Sequence, residues 1–136
     1  MNFTNLIRNI AFVLFGVFGL ILASKYVGRY YELVHSYAGN ITASFAVYFV
    51  VSIGSNVFRF NRLIVAGLAL LVVELFEATN GFGVMTNTYD PLDFLANAVG
   101  VALAVGADVV STRIMESRSN SSKSIDQESP SHTRSE

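Results

Sequence analysis

Cysteine is absent from this 136-residue chain. No disulfide framework, thiolate nucleophile or thiolate metal site is available, and any metal site has to draw on oxygen or histidine ligands. Charge is scarce too: 14% of residues are charged, against about a quarter in a soluble domain. Nor does either sign dominate, the formal net charge being −1. Scattered charges without a basic face argue against nucleic acid as a partner and give no case for an acidic one.

What the chain has instead is apolar sequence, 52% of its residues. Most of such a core must face lipid. A membrane-spanning helix needs roughly 20 mostly apolar residues, and four runs approach that length, at about residues 7–25, 37–58, 63–80 and 92–112. Each is apolar around its circumference, which suits a span better than an amphipathic surface helix. The expected fold is all-α, a four-helix transmembrane bundle over residues 1–112. A cleaved leader is the alternative for the first run, with Arg8 before it and Ser24 after, but Ile21 and Leu22 fit the small-residue cleavage rule poorly. A soluble helical bundle is the alternative for the whole. No internal repeat of 20 to 50 residues is apparent. Residues 113–136, "RIMESRSNSSKSIDQESPSHTRSE", are rich in serine and lack aromatics. They cannot bury enough apolar surface to fold alone, and a disordered tail is expected there.

Lysine and arginine set the expected orientation. With four spans, one side holds Arg8, Arg59, Arg62, Arg113, Arg118, Lys123 and Arg134, and the other only Lys25 and Arg29. The excess predicts that both termini are cytoplasmic and that "NGFGVMTNTYD", the last loop, faces outward. A bacterial inner-membrane location, with the bilayer as the chief partner, is the corresponding expectation.

Against this apolar background a few polar residues stand out. Pairing the third and fourth runs as an antiparallel hairpin puts Glu77 level with Asp93, and Glu74 level with Asn97. The same register sets Arg62 level with Asp108, a structural ion pair. Charges near the bilayer centre cost roughly 2.5 to 3.5 kcal/mol, so they normally turn inward and find partners. Asp93, Asn97, Gly100 and Ala104 follow helical spacing and form one inward stripe. Its small residues could serve packing alone, and Asn97 an interhelical hydrogen bond. Asp90 and Pro91 read as a helix start, a capping carboxylate followed by proline at the first helical position. Glu74 and Glu77 have no such role. They oppose the dipole at the C-terminal end of their helix, which is unfavourable without compensation and suits a proton acceptor or a proton-sharing pair.

The E-x-x-E pair, the glycine-containing loop and "TYDPLDFLANAVG" together resemble the signatures of VanZ-like proteins and a related family of small bacterial multi-pass inner-membrane proteins. "VHSYAGNITASFAVYF" is similar to the segment that opens the second span of that family, with Asn40 where aspartate is usual. The resemblance covers roughly residues 31–106. It implies that Glu74, Glu77, Asp93, Asn97 and Gly100 occupy the family's polar positions, with His35 and Asn40 matching less closely. Glu77 replaces a frequent glutamine. Asn87 or Thr88 stands where an arginine often precedes the aspartate, so anion binding by that loop is not carried over. A named member is associated with low-level resistance to teicoplanin, which implies an envelope-related role.

Three functions follow in order of preference. The first is a binding or envelope-modulating membrane protein with an outward polar pocket of Glu74, Glu77, Asp93, Asn97, Asn40 and His35. The second is a proton- or cation-coupled transporter, which with so few spans would need a homo-oligomer. The third is a metal-assisted hydrolase with a hard cation held by carboxylates; no nucleophile is evident for it. No cofactor is implied, and no ligand is identified by any motif.

Overall fold

The computed structural model describes residues 3–55, 60–79 and 91–127. These are helical with short connections, and there is no strand among them. Helix α1 is Phe3–Lys25, and a short α2, Tyr31–Leu33, runs through a π-helical stretch, Val34–Ala38, into α3, Gly39–Ser55. Helix α4 is Arg62–Ala78 and α5 is Pro91–Gln127. The chain forms two compact units, Met1–Val105 and Gly106–Glu136.

Helix ends follow local chemistry. Asn61, in an extended conformation, caps α4 with its side-chain oxygen 3.5 Å from the Leu63 amide. At the other end the Thr79 hydroxyl donates to Leu75 O at 2.7 Å and Phe76 O at 3.2 Å, and its amide donates to Leu75 O at 3.1 Å, closing the last turn. Pro91 opens α5, where its missing N–H removes no helical hydrogen bond. Its expected companion Asp90 lies outside the described residues.

Among the described residues two helices, Phe3–Lys25 and Pro91–Ser121, are long and apolar enough to cross a membrane. Gly39–Ser55 is apolar but shorter, and α4 has 17 residues. The boundary between the two compact units falls after Val105, within α5. Helix α5 continues past Thr112 to Gln127. Composition tells whether a segment can bury a core, whereas helicity is local; arginine, methionine and glutamate in "RIMESR" are all good helix formers.

In the first unit, α1 and α3 pack antiparallel through small residues. A Cβ on Gly16 would lie 2.8 Å from Ala46 Cβ, and one on Gly19 would lie 2.8 Å from Thr42 Cγ2, so both glycines are required for this approach. Around the notch the aromatic rings interlock: Phe12 stacks on Phe49 with centroids 4.6 Å apart, and Tyr48 meets Phe49 edge-on at 5.1 Å. Helix α5 closes on α3 in the same manner. A Cβ on Gly100 would collide with Ser44 Oγ and the carbonyl oxygen of Ile41.

The resulting core is made largely of small side chains, Ala23, Ala46, Ala69, Ala96 and Ala104 among them. Tyr48 and Phe49 apart, most large apolar side chains point the other way: Phe15 is 68% exposed, Phe18 58% and Leu95 62%, and Leu71, Leu75 and Leu103 are exposed with them. This inverts the usual soluble arrangement, in which the bulky apolar residues are the ones most often buried.

Candidate functional site

The polar residues of the first unit are buried where helices meet. Asp93, in the first turn of α5, is 4% exposed and accepts a 2.8 Å hydrogen bond from Asn40 Nδ2 at the start of α3. The π-helical stretch ends immediately before α3, and a π turn carries one extra residue per hydrogen-bonded loop. It therefore sets the rotation at which Asn40 enters the helix. One turn along α5, Asn97 is 4% exposed and donates to the Glu74 carboxylate of α4. Glu77 is close enough to act electrostatically on Glu74. The second carboxylate oxygen of Glu74, Oε2, is buried and has no hydrogen-bond partner among the described residues.

These contacts join three helices by two interhelical polar pairs, Asn40–Asp93 and Glu74–Asn97. Both pairs hang on the same face of α5, with Gly100 and Ala104 continuing it as buried positions. Glycine at 100 brings the α3 backbone against α5, and that proximity lets a side chain as short as asparagine bridge the helices. The arrangement concentrates carboxylates and amides in an apolar shell, where each hydrogen bond is stronger than in water and an unmatched polar atom is correspondingly unfavourable. Such a group of acceptors can take a hydrogen-bond donor or a cation.

The other predicted residues lie elsewhere along the chain. His35 lies in the π-helical stretch, with its ring 4.3 Å from that of Tyr31. Arg62 is the first residue of α4 and is exposed. Asp108 is buried in the second unit, and its backbone carbonyl accepts from the Thr112 hydroxyl at 2.7 Å. No group of three or more His, Asp or Glu side chains suited to a metal ion occurs among the described residues.

A second polar contact was not anticipated from the sequence. Asn9, 1% exposed, donates to Ser52 Oγ at 3.3 Å across the α1–α3 seam, and Arg8 Nε and Nη2 reach Asn9 Oδ1 at 3.2 and 3.0 Å. The available signal was an asparagine following the only arginine of the first run, with serine at Ser52 inside another.

The chain matches no protein-family model, no curated protein and no solved structure.

Proposed function

We propose that this chain is an integral membrane protein whose Glu74–Asn97 and Asn40–Asp93 pairs, with Glu77, line a polar recess that binds a donor-bearing or cationic group at the outer membrane surface. The observation that carries the membrane reading is the outward apolar surface: around Tyr48 and Phe49 the core is mostly small residues, while the leucines and several phenylalanines face outside. In lipid, helices associate by close packing and interhelical hydrogen bonds, which is how α1, α3, α4 and α5 meet. Four spans accord with the helix lengths. The helical run 31–55 measures about 37 Å and α4 about 26 Å at 1.5 Å per residue, against a hydrocarbon core of about 30 Å. The lysine and arginine distribution supports cytoplasmic termini, and the VanZ-like resemblance supports a bacterial inner membrane and an envelope-related role.

The recess is the part of this reading open to direct test. In a teicoplanin-susceptible bacterium, expression of the chain is expected to shift glycopeptide susceptibility, and Glu74→Gln and Asn97→Leu are expected to abolish the shift at equal abundance in the membrane. An unaltered shift in both variants would reduce the polar pairs to helix glue, and no shift with the natural sequence would remove the envelope-related role. Because the chain has no cysteine, a Met85→Cys variant tests orientation. It should react with an impermeant maleimide added to intact spheroplasts.

The unsatisfied Glu74 Oε2 beside Glu77 favours a second reading, transport coupled to a proton or cation. That reading requires pH-dependent flux in proteoliposomes that Glu74→Gln and Glu77→Gln eliminate. The metal-assisted reading finds no ligand set among the described residues.

A further inference from the structure

An apolar groove of about 260 Å³ lies on the first unit, lined by Tyr37, Ile41, Leu92, Leu95, Ala96 and Val99. It occupies the face of α5 turned away from the Glu74–Asn97 contact, since Leu92, Leu95 and Val99 are displaced around the helix from Asn97. Both helices that form it begin at the same end, because Asn40 meets Asp93 and Ile41 and Ser44 meet Gly100. Tyr37 and Leu92 therefore form its mouth and Val99 its floor. From Leu92 to Val99 the groove runs for about 10 Å, inside one leaflet of about 15 Å. A single hydrocarbon chain lying along the helices fits that length.

Basic residues lie at the end of the first unit where the groove opens. Contacts of Gly16 with Ala46, Gly19 with Thr42 and Gly39 with Leu20 fix the antiparallel register of α1 on α3. That register sets Lys25, the last residue of α1, about one turn beyond the level of Tyr37. Arg29 follows in the connection to α2, and both side chains are exposed. Glu32 is exposed nearby, leaving these three residues with one net positive charge. Tyr26 and Tyr30 are exposed beside them, as expected of residues at a lipid headgroup level. Cations at a level one turn above that of an apolar mouth match the depth of a lipid phosphate relative to its acyl chain.

From this juxtaposition we infer that the groove is a binding site for an anionic phospholipid, with one acyl chain between α3 and α5 and its phosphate at Lys25 and Arg29. The inference rests on the membrane reading but not on the polar recess. Basic residues near anionic headgroups favour them about five-fold per Lys or Arg.

The test uses the absence of tryptophan from the chain. Full-length Tyr37→Trp and Leu95→Trp variants place a single indole in the groove, and Phe18→Trp places one on an exposed part of α1. Each is reconstituted in phosphatidylcholine vesicles containing a minor fraction of brominated phosphatidylglycerol or brominated phosphatidylcholine. Groove indoles should be quenched by the brominated phosphatidylglycerol at about five-fold lower mole fraction, and Lys25→Gln with Arg29→Gln should make the two lipids equivalent. The Phe18→Trp indole should be quenched equally by both. Equal quenching in the groove, or a preference unchanged by the charge substitutions, overturns the inference. So does an unquenched groove beside a quenched Phe18→Trp. If Phe18→Trp itself escapes both lipids, the membrane reading fails, and the inference with it.

Discussion

Replacing Gly100 by alanine adds one methyl group at the point where α5 approaches α3 most closely. The new Cβ meets the carbonyl oxygen of Ile41, a backbone atom that cannot rotate away, and Ser44 Oγ, which is already engaged with the carbonyl of Asn40. Relief requires the seam to open by about 1 Å, and a radial gap of that size forfeits a quarter to a half of the dispersion well of each contact along it. The displacement also reaches the Asn40–Asp93 hydrogen bond, 2.8 Å long and about two turns away. Overpacking of this kind costs about 1 to 3 kcal/mol, and weakening the hydrogen bond adds to the upper part of that range. Alanine is otherwise the better helix former by roughly 0.5 to 1 kcal/mol, so the net loss should be about 1 to 2 kcal/mol. Gly67 supplies the control. Nothing lies within 4 Å of a Cβ there, so Gly67→Ala should be neutral or stabilising by that helix-propensity increment. Reversible unfolding in mixed micelles of increasing dodecyl sulfate fraction, followed by far-UV circular dichroism, compares the two. If Gly100→Ala is as stable as the natural sequence while Gly67→Ala behaves as expected, the close approach of α3 and α5 is wrong.

Other substitutions probe separate contacts. Phe49→Ala removes a fully buried ring stacked on Phe12; a loss of about 3 to 5 kcal/mol in the same unfolding assay is expected, and a loss below 1 kcal/mol would contradict the stacking. Asn9→Leu leaves Ser52 without its cross-helix donor and should cost about 0.6 to 2 kcal/mol, whereas Asn5→Leu, half-buried earlier on α1, should cost less. Met115→Pro tests the extension of α5 beyond Thr112: backbone amide exchange on the full chain should accelerate over residues 113–118, and no acceleration would mean that this stretch is not helical in the natural protein.

Legibility in the sequence followed the physics of each feature. Helix positions were readable because hydrocarbon-length apolar runs are a one-dimensional signal, and Pro91 marks a helix start through chemistry that acts within a turn. The hairpin register was readable at Glu74 and Asn97 because antiparallel helices conserve depth. Asn40 entered as a partner of the same cluster through the resemblance, and the bond to Asp93 gives that grouping a geometry. Azimuth was the missing quantity. A helix apolar on every side has no polar face to declare which side is buried, so neither Gly16 against Ala46 nor Asn9 against Ser52 could be derived. The π-helical stretch was equally hidden, since it depends on how α1 and α3 settle together and not on any residue type in "VHSYA".

Division of α5 into faces decides how far these features can be separated by experiment. Asp93, Asn97, Gly100 and Ala104 face the neighbouring helices, whereas Leu92, Leu95 and Val99 border the groove. Ala96 lies between the two sets, buried but also lining the groove. A bulky side chain at Val99 would therefore shorten the groove without entering the seam, while one at Ala96 would disturb both. On this geometry Val99→Phe should abolish the phosphatidylglycerol preference and leave glycopeptide susceptibility unchanged, and Asn97→Leu should do the reverse. If the two properties are lost together in either variant, the recess and the groove act as one site, and the amphiphile they share must reach from Lys25 to Glu74.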